Sequence, residues 1–283
     1  MILKIVMGLV ALYMFSGFLF FIKNLKKTPA HLFSFAVLLH TVFLIGYAAF
    51  QSRPPVANMQ ETFMYVAWIV GGSVFFLKKR YLYLVPLGAV SSAILLLIAA
   101  SLAPASAELE PVLNAPYWLM VHVMVIVASY GVLMVSSLLA HIYLYNRKES
   151  LMKLIIPCNF IGTGLLTAGT ILGGLWAART WGSFWSWDVK EAWAFISICI
   201  FLAALHLESF KMGGPAAICS LTAVGFLSVT FTWYGINYVL KKGMHTYGFG
   251  DGGILYYCLF LVADLVLLGF LLYRNRKISR QLL

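Results

Sequence analysis

The sequence predicts an all-α integral membrane protein, a polytopic helical bundle of about nine transmembrane helices. Of its 283 residues, 62% are hydrophobic and only 10% are charged, a composition typical of helical membrane proteins. The apolar residues form runs close to the ~20 residues that a spanning helix needs. These runs are apolar all round, whereas the strands of a membrane barrel alternate polar and apolar residues.

Nine apolar stretches follow one another along the chain, and the third is the shortest. The first lacks a strong basic flank and a small-residue cleavage site, so we interpret it as a span rather than a signal peptide. No period of 20–50 residues and no disordered linker interrupts the series, which predicts a single integral domain over 1–283. The stretches cover residues 2–22, 31–50, 62–77, 82–103, 117–145, 155–175, 191–209, 216–239 and 254–273.

Basic residues are distributed asymmetrically among the connections. With nine spans, fourteen of the 20 Lys and Arg residues share one compartment, which the positive-inside rule identifies as the cytoplasm. The net charge of +11 therefore reflects topology rather than nucleic-acid binding. The N-terminus is expected outside, the C-terminus inside, and segment 176–193 on the outer face. The fourteen residues are Lys23, Lys26, Lys27, Lys78, Lys79, Arg80, Arg147, Lys148, Lys153, Lys211, Arg274, Arg276, Lys277 and Arg280.

A tryptophan-rich segment lies between the sixth and seventh stretches. Residues 181–193 read WGSFWSWDVKEAW and contain four of the eight tryptophans, with another just upstream. An interfacial aromatic belt explains one or two tryptophans per helix end, so this density indicates a surface for a large planar ligand. Haem is the large planar ligand that we predict for this surface. The candidate haem-binding residues of the segment are Trp176, Trp181, Trp185, Trp187 and Trp193.

Two histidines are expected on the same side of the membrane as the tryptophans. His122 lies near the outer end of the fifth stretch, and His245 lies in the connection between the eighth and ninth. Neutral imidazoles from different helices are usual axial ligands of low-spin haem iron, so both are predicted ligands of an outer haem. Taken singly, helix packing and a solvated loop explain them better. The tryptophans between them favour iron ligation.

His206 is expected at greater depth. It lies fifteen residues past Glu191, which is about 22 Å along a helix at ~1.5 Å per residue. Ionisable side chains within spans usually line a cavity or meet a partner, so His206 is a predicted ligand of an inner haem iron. Its partner stays open among His40 in the middle of the second stretch, which is ranked first on burial, His141 near the cytoplasmic end of the fifth, and His31 at the inner edge of the second. By depth alone His141 and His31 match His206 better.

Asp188 has two interpretations. The D-x-x-E pattern of Asp188 and Glu191 before an apolar run predicts a capping box at the start of the seventh helix. Asp188 also belongs to the tryptophan segment and is kept as a candidate haem-binding residue. Lys190 and Arg179 are on the outer side by topology, where haem propionates or lipid phosphates are their candidate partners.

The stretch WGSFWSWDVKEAWA resembles the tryptophan-rich WWD domain of cytochrome c assembly proteins, and within them the CcsA (ResC) branch, whose usual sequence is WGSxWSWDPKExWA. Val189 departs from that pattern, because proline is usual there. PPVANMQE at 54–61 and GMHTYG at 243–248 are also similar to the branch, as are histidines at the positions of His122 and His206. The K-E pair after WD distinguishes this branch from the CcmC type.

The resemblance implies a membrane subunit of a cytochrome c synthetase. Such a subunit moves haem b, its ligand and substrate, to the outer WWD segment, where the haem is attached to the thiols of an apocytochrome C-x-x-C-H. Its implied partners are a CcsB (ResB)-type membrane protein and apocytochrome c, and a bacterial cytoplasmic membrane is favoured over a thylakoid. The alternatives left open are a haem exporter or chaperone-loading protein, a membrane b-type cytochrome, and a transporter of another flat substrate.

Overall fold

The computed structural model describes residues 2–22, 25, 27–102, 116–240 and 253–281. All regular structure in these ranges is helical, which confirms the predicted fold class. A 3-10 turn leads into each of α4 and α6, and a π-helix over Phe231–Leu240 continues α8. The helices are α1 (Ile2–Leu19), α2 (Lys27–Gln51), α3 (Met59–Leu77), α4 (Val85–Ser101), α5 (Pro116–Asn146), α6 (Met152–Trp181), α7 (Val189–Ser209), α8 (Pro215–Thr230) and α9 (Gly253–Gln281).

Each predicted apolar stretch corresponds to one helix, but three helices extend at least four residues past one end of their stretches. α2 begins at Lys27, α6 continues to Trp181 and α9 continues to Gln281. Hydropathy ends at the first polar residues, whereas a helix continues as long as its backbone hydrogen bonds do. Trp176 and Trp181 therefore lie on α6 rather than in a connection.

Eight of the described helices are long and apolar enough to cross a membrane. α3 is not among them, and its first turn carries the polar residues Gln60 and Glu61. The chain is thus an integral membrane protein. A ninth span and the side on which each connection lies stay predictions.

Backbone compactness divides the chain into two units, Met1–Gly131 and Val132–Leu283. In the first unit, α1 packs against α2 and α4, and α3 packs against the same two helices around a core that includes Phe33 and Met64. In the second unit, α7 packs against α6 and α8, and α8 also contacts α9. The predicted single domain over 1–283 stays a prediction.

A buried polar chain joins three helices of the second unit. Ser136 Oγ donates to Asn159 Oδ1 at 2.7 Å, and Asn159 Nδ2 donates to Thr222 Oγ1 at 2.7 Å. Hydrogen bonds between helices in a membrane contribute about 1 kcal/mol each. These bonds fix the register of α6, which carries the first part of the tryptophan segment.

Candidate functional site

The tryptophan segment begins on the last turns of α6. Trp176 is 1% exposed, and its ring meets that of Trp181 edge to face at a centroid distance of 4.7 Å. Gly182 then ends the helix with φ of +77°, a left-handed conformation that glycine adopts without a Cβ clash. A helix end therefore positions two of the five candidate tryptophans.

Trp185 and Trp187 lie in the connection to α7. Their rings meet edge to face at 5.8 Å, and Ser183 Oγ donates to the carbonyl of Trp185 at 2.9 Å. The indole Nε1 of Trp185 is buried and has no hydrogen-bond partner among the described residues, whereas Trp187 is 70% exposed. Trp193 lies on α7 with its ring centroid 4.5 Å from that of Phe231. Within the segment, Trp176 and the indole nitrogen of Trp185 are thus buried, whereas the ring of Trp187 is exposed.

The backbone at Trp187 is strained. Its φ of +60° lies in the left-handed region, which costs a residue with a Cβ about 1 kcal/mol or more. The other described non-glycine residues with positive φ follow helix ends, where this conformation is common, and they are Ser52, Arg147 and Lys211. Trp187 instead precedes the N-cap of α7. Strain at such a position is associated with functional sites.

Asp188 and Glu191 form the predicted capping box. Asp188 Oδ1 accepts from the amide of Lys190 at 3.0 Å, and Glu191 Oε2 accepts from the amide of Asp188 at 3.1 Å. Glu191 Oε2 also accepts from the amide of Ser186 at 2.8 Å, which ties the connection to the first turn of α7. The capping prediction is confirmed, and a haem contact of Asp188 stays a prediction.

Lys190 has a partner within the protein. Its Nζ donates at 2.8 Å to Oδ1 of Asn237, a buried residue of the π-helix that continues α8. This bond connects the tryptophan segment to a rare type of helix that is frequently found at functional sites. Arg179 is exposed on the last turn of α6, as its proposed contact with anionic groups requires.

Two histidines within the spans of the second unit share one feature. Nδ1 of His141 lies 2.9 Å from the carbonyl oxygen of Ser137, and Nδ1 of His206 lies 2.7 Å from that of Leu202. Because a carbonyl only accepts, Nδ1 carries the proton in both neutral rings and Nε2 carries a lone pair. This is the arrangement of most metal-binding histidines.

The surroundings of these two histidines differ. His206 is exposed, and its ring stacks on that of Phe210 at a centroid distance of 5.7 Å. Nε2 of His141 is buried without a hydrogen-bond partner among the described residues, and it lies 3.6 Å from Oδ1 of Asp264 on α9. A carboxylate beside a lone pair favours a shared proton, so Asp264 competes with a metal for this nitrogen.

His40 lies in the core of the first unit and is 0% exposed. Its Nδ1 lies 3.3 Å from the hydroxyl of Tyr13, and its buried Nε2 has no hydrogen-bond partner among the described residues. A buried polar atom without a partner costs about 1–3 kcal/mol. His40 and Trp185, both candidate site residues, each have a buried nitrogen without a hydrogen-bond partner among the described residues, and a bound ligand would satisfy it.

Of the two predicted outer ligands, only His122 is described. It is half-buried on α5 within the first unit. His245 lies outside the described residues, as does the rest of GMHTYG. Because the tryptophan segment belongs to the second unit, its pairing with His122 stays a prediction.

A buried ionic cluster around Glu61 was not predicted from the sequence. Glu61 Oε1 accepts from the Tyr47 hydroxyl at 3.0 Å and from Arg53 Nη2 at 2.8 Å. Oε2 accepts from Arg53 Nη1 at 2.7 Å and from the amide of Ala57 at 2.8 Å. Hydrogen bonding to Glu61 raises the pKa of the Arg53 guanidinium above its ordinary value. The sequence signal for this cluster is Glu61 itself, because a lone carboxylate at the start of an apolar run needs a cationic or hydrogen-bonding partner.

These features define a polytopic helical membrane protein with a tryptophan-rich connection between two long helices. The family model described as cytochrome c assembly protein matches residues 3–245. The chain therefore belongs to this family.

Curated relatives agree with this assignment. NrfI of Wolinella succinogenes is 32% identical over 274 residues, which cover 87% of this chain and 29% of NrfI. CcsA of Guillardia theta is 34% identical over 233 residues, covering 69% of this chain and 76% of that protein. CcsA of Chlamydomonas reinhardtii is 32% identical over 216 residues, covering 69% and 61%. The chain therefore matches less than a third of NrfI and about three quarters of the Guillardia protein.

A solved structure, that of the cytochrome c haem lyase CcmF, has a similar fold. The superposition has a TM-score of 0.69 at 15% identity and covers 96% of this chain and 50% of that chain. At this identity the similarity concerns the fold alone.

Proposed function

We propose that this chain is the membrane subunit of a cytochrome c synthetase that moves haem b to the outer face and presents it at the tryptophan segment. Family membership supports a role in cytochrome c maturation. The observation that carries the finer proposal is the Trp185–Trp187 pair, with one buried indole N–H that lacks a partner among the described residues and one exposed ring on strained backbone. Such a pair offers a flat face and a donor to a planar ligand that bears carboxylates.

Haem enters this scheme as substrate. Each thiol of an apocytochrome C-x-x-C-H adds across one vinyl double bond, with sulfur bonding to the inner carbon and hydrogen to the outer carbon. The addition has no leaving group and no net oxidation. The contribution of the chain is orientation of haem and control of iron ligation, because the reacting groups belong to haem and the thiols.

Histidines are the proposed iron ligands. The assignment of His122 and His245 to the outer haem iron rests on the topology that the sequence predicts. His206 is proposed for an inner haem iron, since its Nδ1 donates to Leu202 and its Nε2 keeps a lone pair. His40 and His141 are the further inner candidates.

The proposed partners are a CcsB (ResB)-type membrane protein and apocytochrome c. The proposed location is a bacterial cytoplasmic membrane, with the tryptophan segment on the outer side. The outer side of the segment is supported by the distribution of basic residues, because in the predicted topology the segment lies opposite the positively charged connections.

The first test is the visible spectrum and haem content of the purified full chain and of its His122→Gly, His245→Gly and His206→Gly variants. Each should lose low-spin haem, and added imidazole should restore the low-spin band. Phe76→Gly, which changes an exposed side chain of α3 outside the proposed site, is the glycine control and should keep the parent spectrum. Full haem occupancy in all variants would overturn the ligand assignment, and a parent chain without haem would favour another flat substrate.

Covalent yield separates a synthetase from an exporter. The full chain is expressed with an apocytochrome, with and without a CcsB-type partner, and haem that resists acid acetone extraction is measured. The proposal predicts covalent cytochrome only when this chain and the partner are both present. Haem-loaded chain without any covalent product would favour the exporter.

A further inference from the structure

Tyr13 and His40 form an isolated polar pair within the first unit. Both side chains are 0% exposed, and Oη of Tyr13 lies 3.3 Å from Nδ1 of His40. This is the only side-chain hydrogen bond that either residue makes among the described residues. The rings of Phe33 and Phe43 flank the pair at 5.8 and 6.5 Å between centroids. Aromatic rings thus flank the pair. Because this hydrogen bond has no competitor among the described residues, its direction decides which nitrogen of His40 carries the proton.

A hydroxyl differs from the carbonyls that face His141 and His206, because it either donates or accepts. When Tyr13 donates, Nδ1 is the acceptor and the proton of the neutral His40 ring lies on Nε2. When Tyr13 accepts, the proton lies on Nδ1 and Nε2 has a lone pair. Each arrangement leaves one donor and one acceptor unused: Nε2–H and the hydroxyl lone pairs in the first, the hydroxyl hydrogen and the Nε2 lone pair in the second. A phenol hydroxyl donates more strongly than an imidazole N–H, and an imidazole nitrogen accepts more strongly than a phenol oxygen, so the metal-free chain favours the first arrangement.

We propose that Tyr13 is a positioning residue that sets the tautomer of His40. It donates to Nδ1 and keeps the proton on Nε2 until a metal binds there, and then it accepts from Nδ1–H. The ring remains neutral throughout, because one proton leaves Nε2 and one is bound at Nδ1. This inference rests on the proposed function, in which His40 is a candidate ligand of the inner haem iron.

The consequence is a difference among the span histidines. His206 holds a lone pair on Nε2 in its neutral ring, because the carbonyl of Leu202 fixes its tautomer. His40 gains this lone pair only by reversing a hydrogen bond. His40 therefore releases iron more easily than His206, which suits a site that passes its substrate onward.

Packing on α3 fixes the position of the Tyr13 hydroxyl. A Cβ added at Gly71 would lie 2.9 Å from the hydroxyl oxygen and 3.2 Å from Ser92 Oγ, so alanine there displaces the hydroxyl. The neighbouring Gly72 has nothing within 4 Å of an added Cβ. Gly71→Ala and Gly72→Ala are therefore a matched pair, and only the first should disturb the contact with His40.

The first test is ¹⁵N-histidine NMR of the metal-free full chain, with the His40 signals assigned by their absence in His40→Gln. The parent and Gly72→Ala should show a proton on Nε2 of His40. Tyr13→Phe and Gly71→Ala should show mixed or averaged tautomers instead. A proton on Nδ1 in the metal-free parent, or an unchanged Nε2–H tautomer in Tyr13→Phe, would overturn the proposal.

The second test uses the haem-loaded chain and the redox component that is lost in His40→Gly. Donation from Nδ1–H to Tyr13 strengthens the imidazole ligand and stabilises ferric iron. Tyr13→Phe should therefore raise the midpoint potential of this component while Gly72→Ala leaves it unchanged. An unchanged potential in Tyr13→Phe would overturn the role of Tyr13 and leave the proposed function standing. Parental spectrum and potential in His40→Gly would instead remove His40 as a ligand.

Discussion

Arg53 and Glu61 form a two-point ion pair at the start of α3, with Nη1 and Nη2 lying 2.7 and 2.8 Å from Oε2 and Oε1. The carboxylate is fully buried, while the guanidinium is partly exposed. The amide of Ala57 donates to the same carboxylate. The last residue of PPVANMQE therefore holds the preceding part of the motif against the helix.

Glu61→Gln should destabilise the chain by about 1–3 kcal/mol, because it leaves the partly exposed Arg53 guanidinium facing an amide and removes buried carboxylate acceptors. The free energy of unfolding is measured by denaturant titration in detergent. Glu208→Gln is the control, since Glu208 pairs with Lys211 at 2.7 Å on the exposed surface and should lose less than about 1 kcal/mol. Equal losses in the two variants would contradict a clamp at Glu61.

The fold was largely predictable because a bilayer requires long apolar runs, and each of the nine runs corresponds to a helix. Helix ends were less predictable, since apolarity does not report where backbone hydrogen bonding stops. α6 accordingly continues through Trp176 to Trp181.

In the candidate site, too, features formed by neighbouring residues were predictable, whereas contacts between distant residues were not. The capping box of Asp188 and Glu191 depends on four neighbouring positions, so the sequence predicts it. Tyr13 and His40 are separated by 27 positions, and packing between helices brings them together. No local pattern records such a contact.

Val189→Pro should preserve the fold and stabilise it by about 0.4–1 kcal/mol, because proline restricts the unfolded chain. Val189 is the first residue of α7, where proline is favoured, and Asp188 before it has φ of −55° and ψ of 151°, an extended conformation that proline accepts. Lys190→Pro is the control, since it removes an amide that donates to Asp188 and should destabilise. Unfolding titrations compare them, and a destabilised Val189→Pro would contradict this geometry.

Asp188→Ala should destabilise the start of α7 by about 1 kcal/mol, while Asp188→Ser should retain most of the cap. Serine keeps an acceptor for the amide of Lys190 and removes the negative charge. Stability and haem content are measured on both variants. Haem loss in both variants would support a direct haem contact, whereas parental haem in the serine variant would limit Asp188 to capping.

Trp187→Gly should be more stable than Trp187→Ala by about 1 kcal/mol, because only glycine adopts the left-handed φ of +60° without a Cβ clash. Both variants remove the exposed ring, so both should lose haem to the same extent despite their difference in stability. Phe184→Ala is the control, because it removes another exposed ring of the connection outside the proposed haem contacts. Unfolding titrations and haem quantification separate the two effects. Haem loss that follows stability rather than the ring would show that Trp187 acts through the backbone of the segment and not as a haem contact.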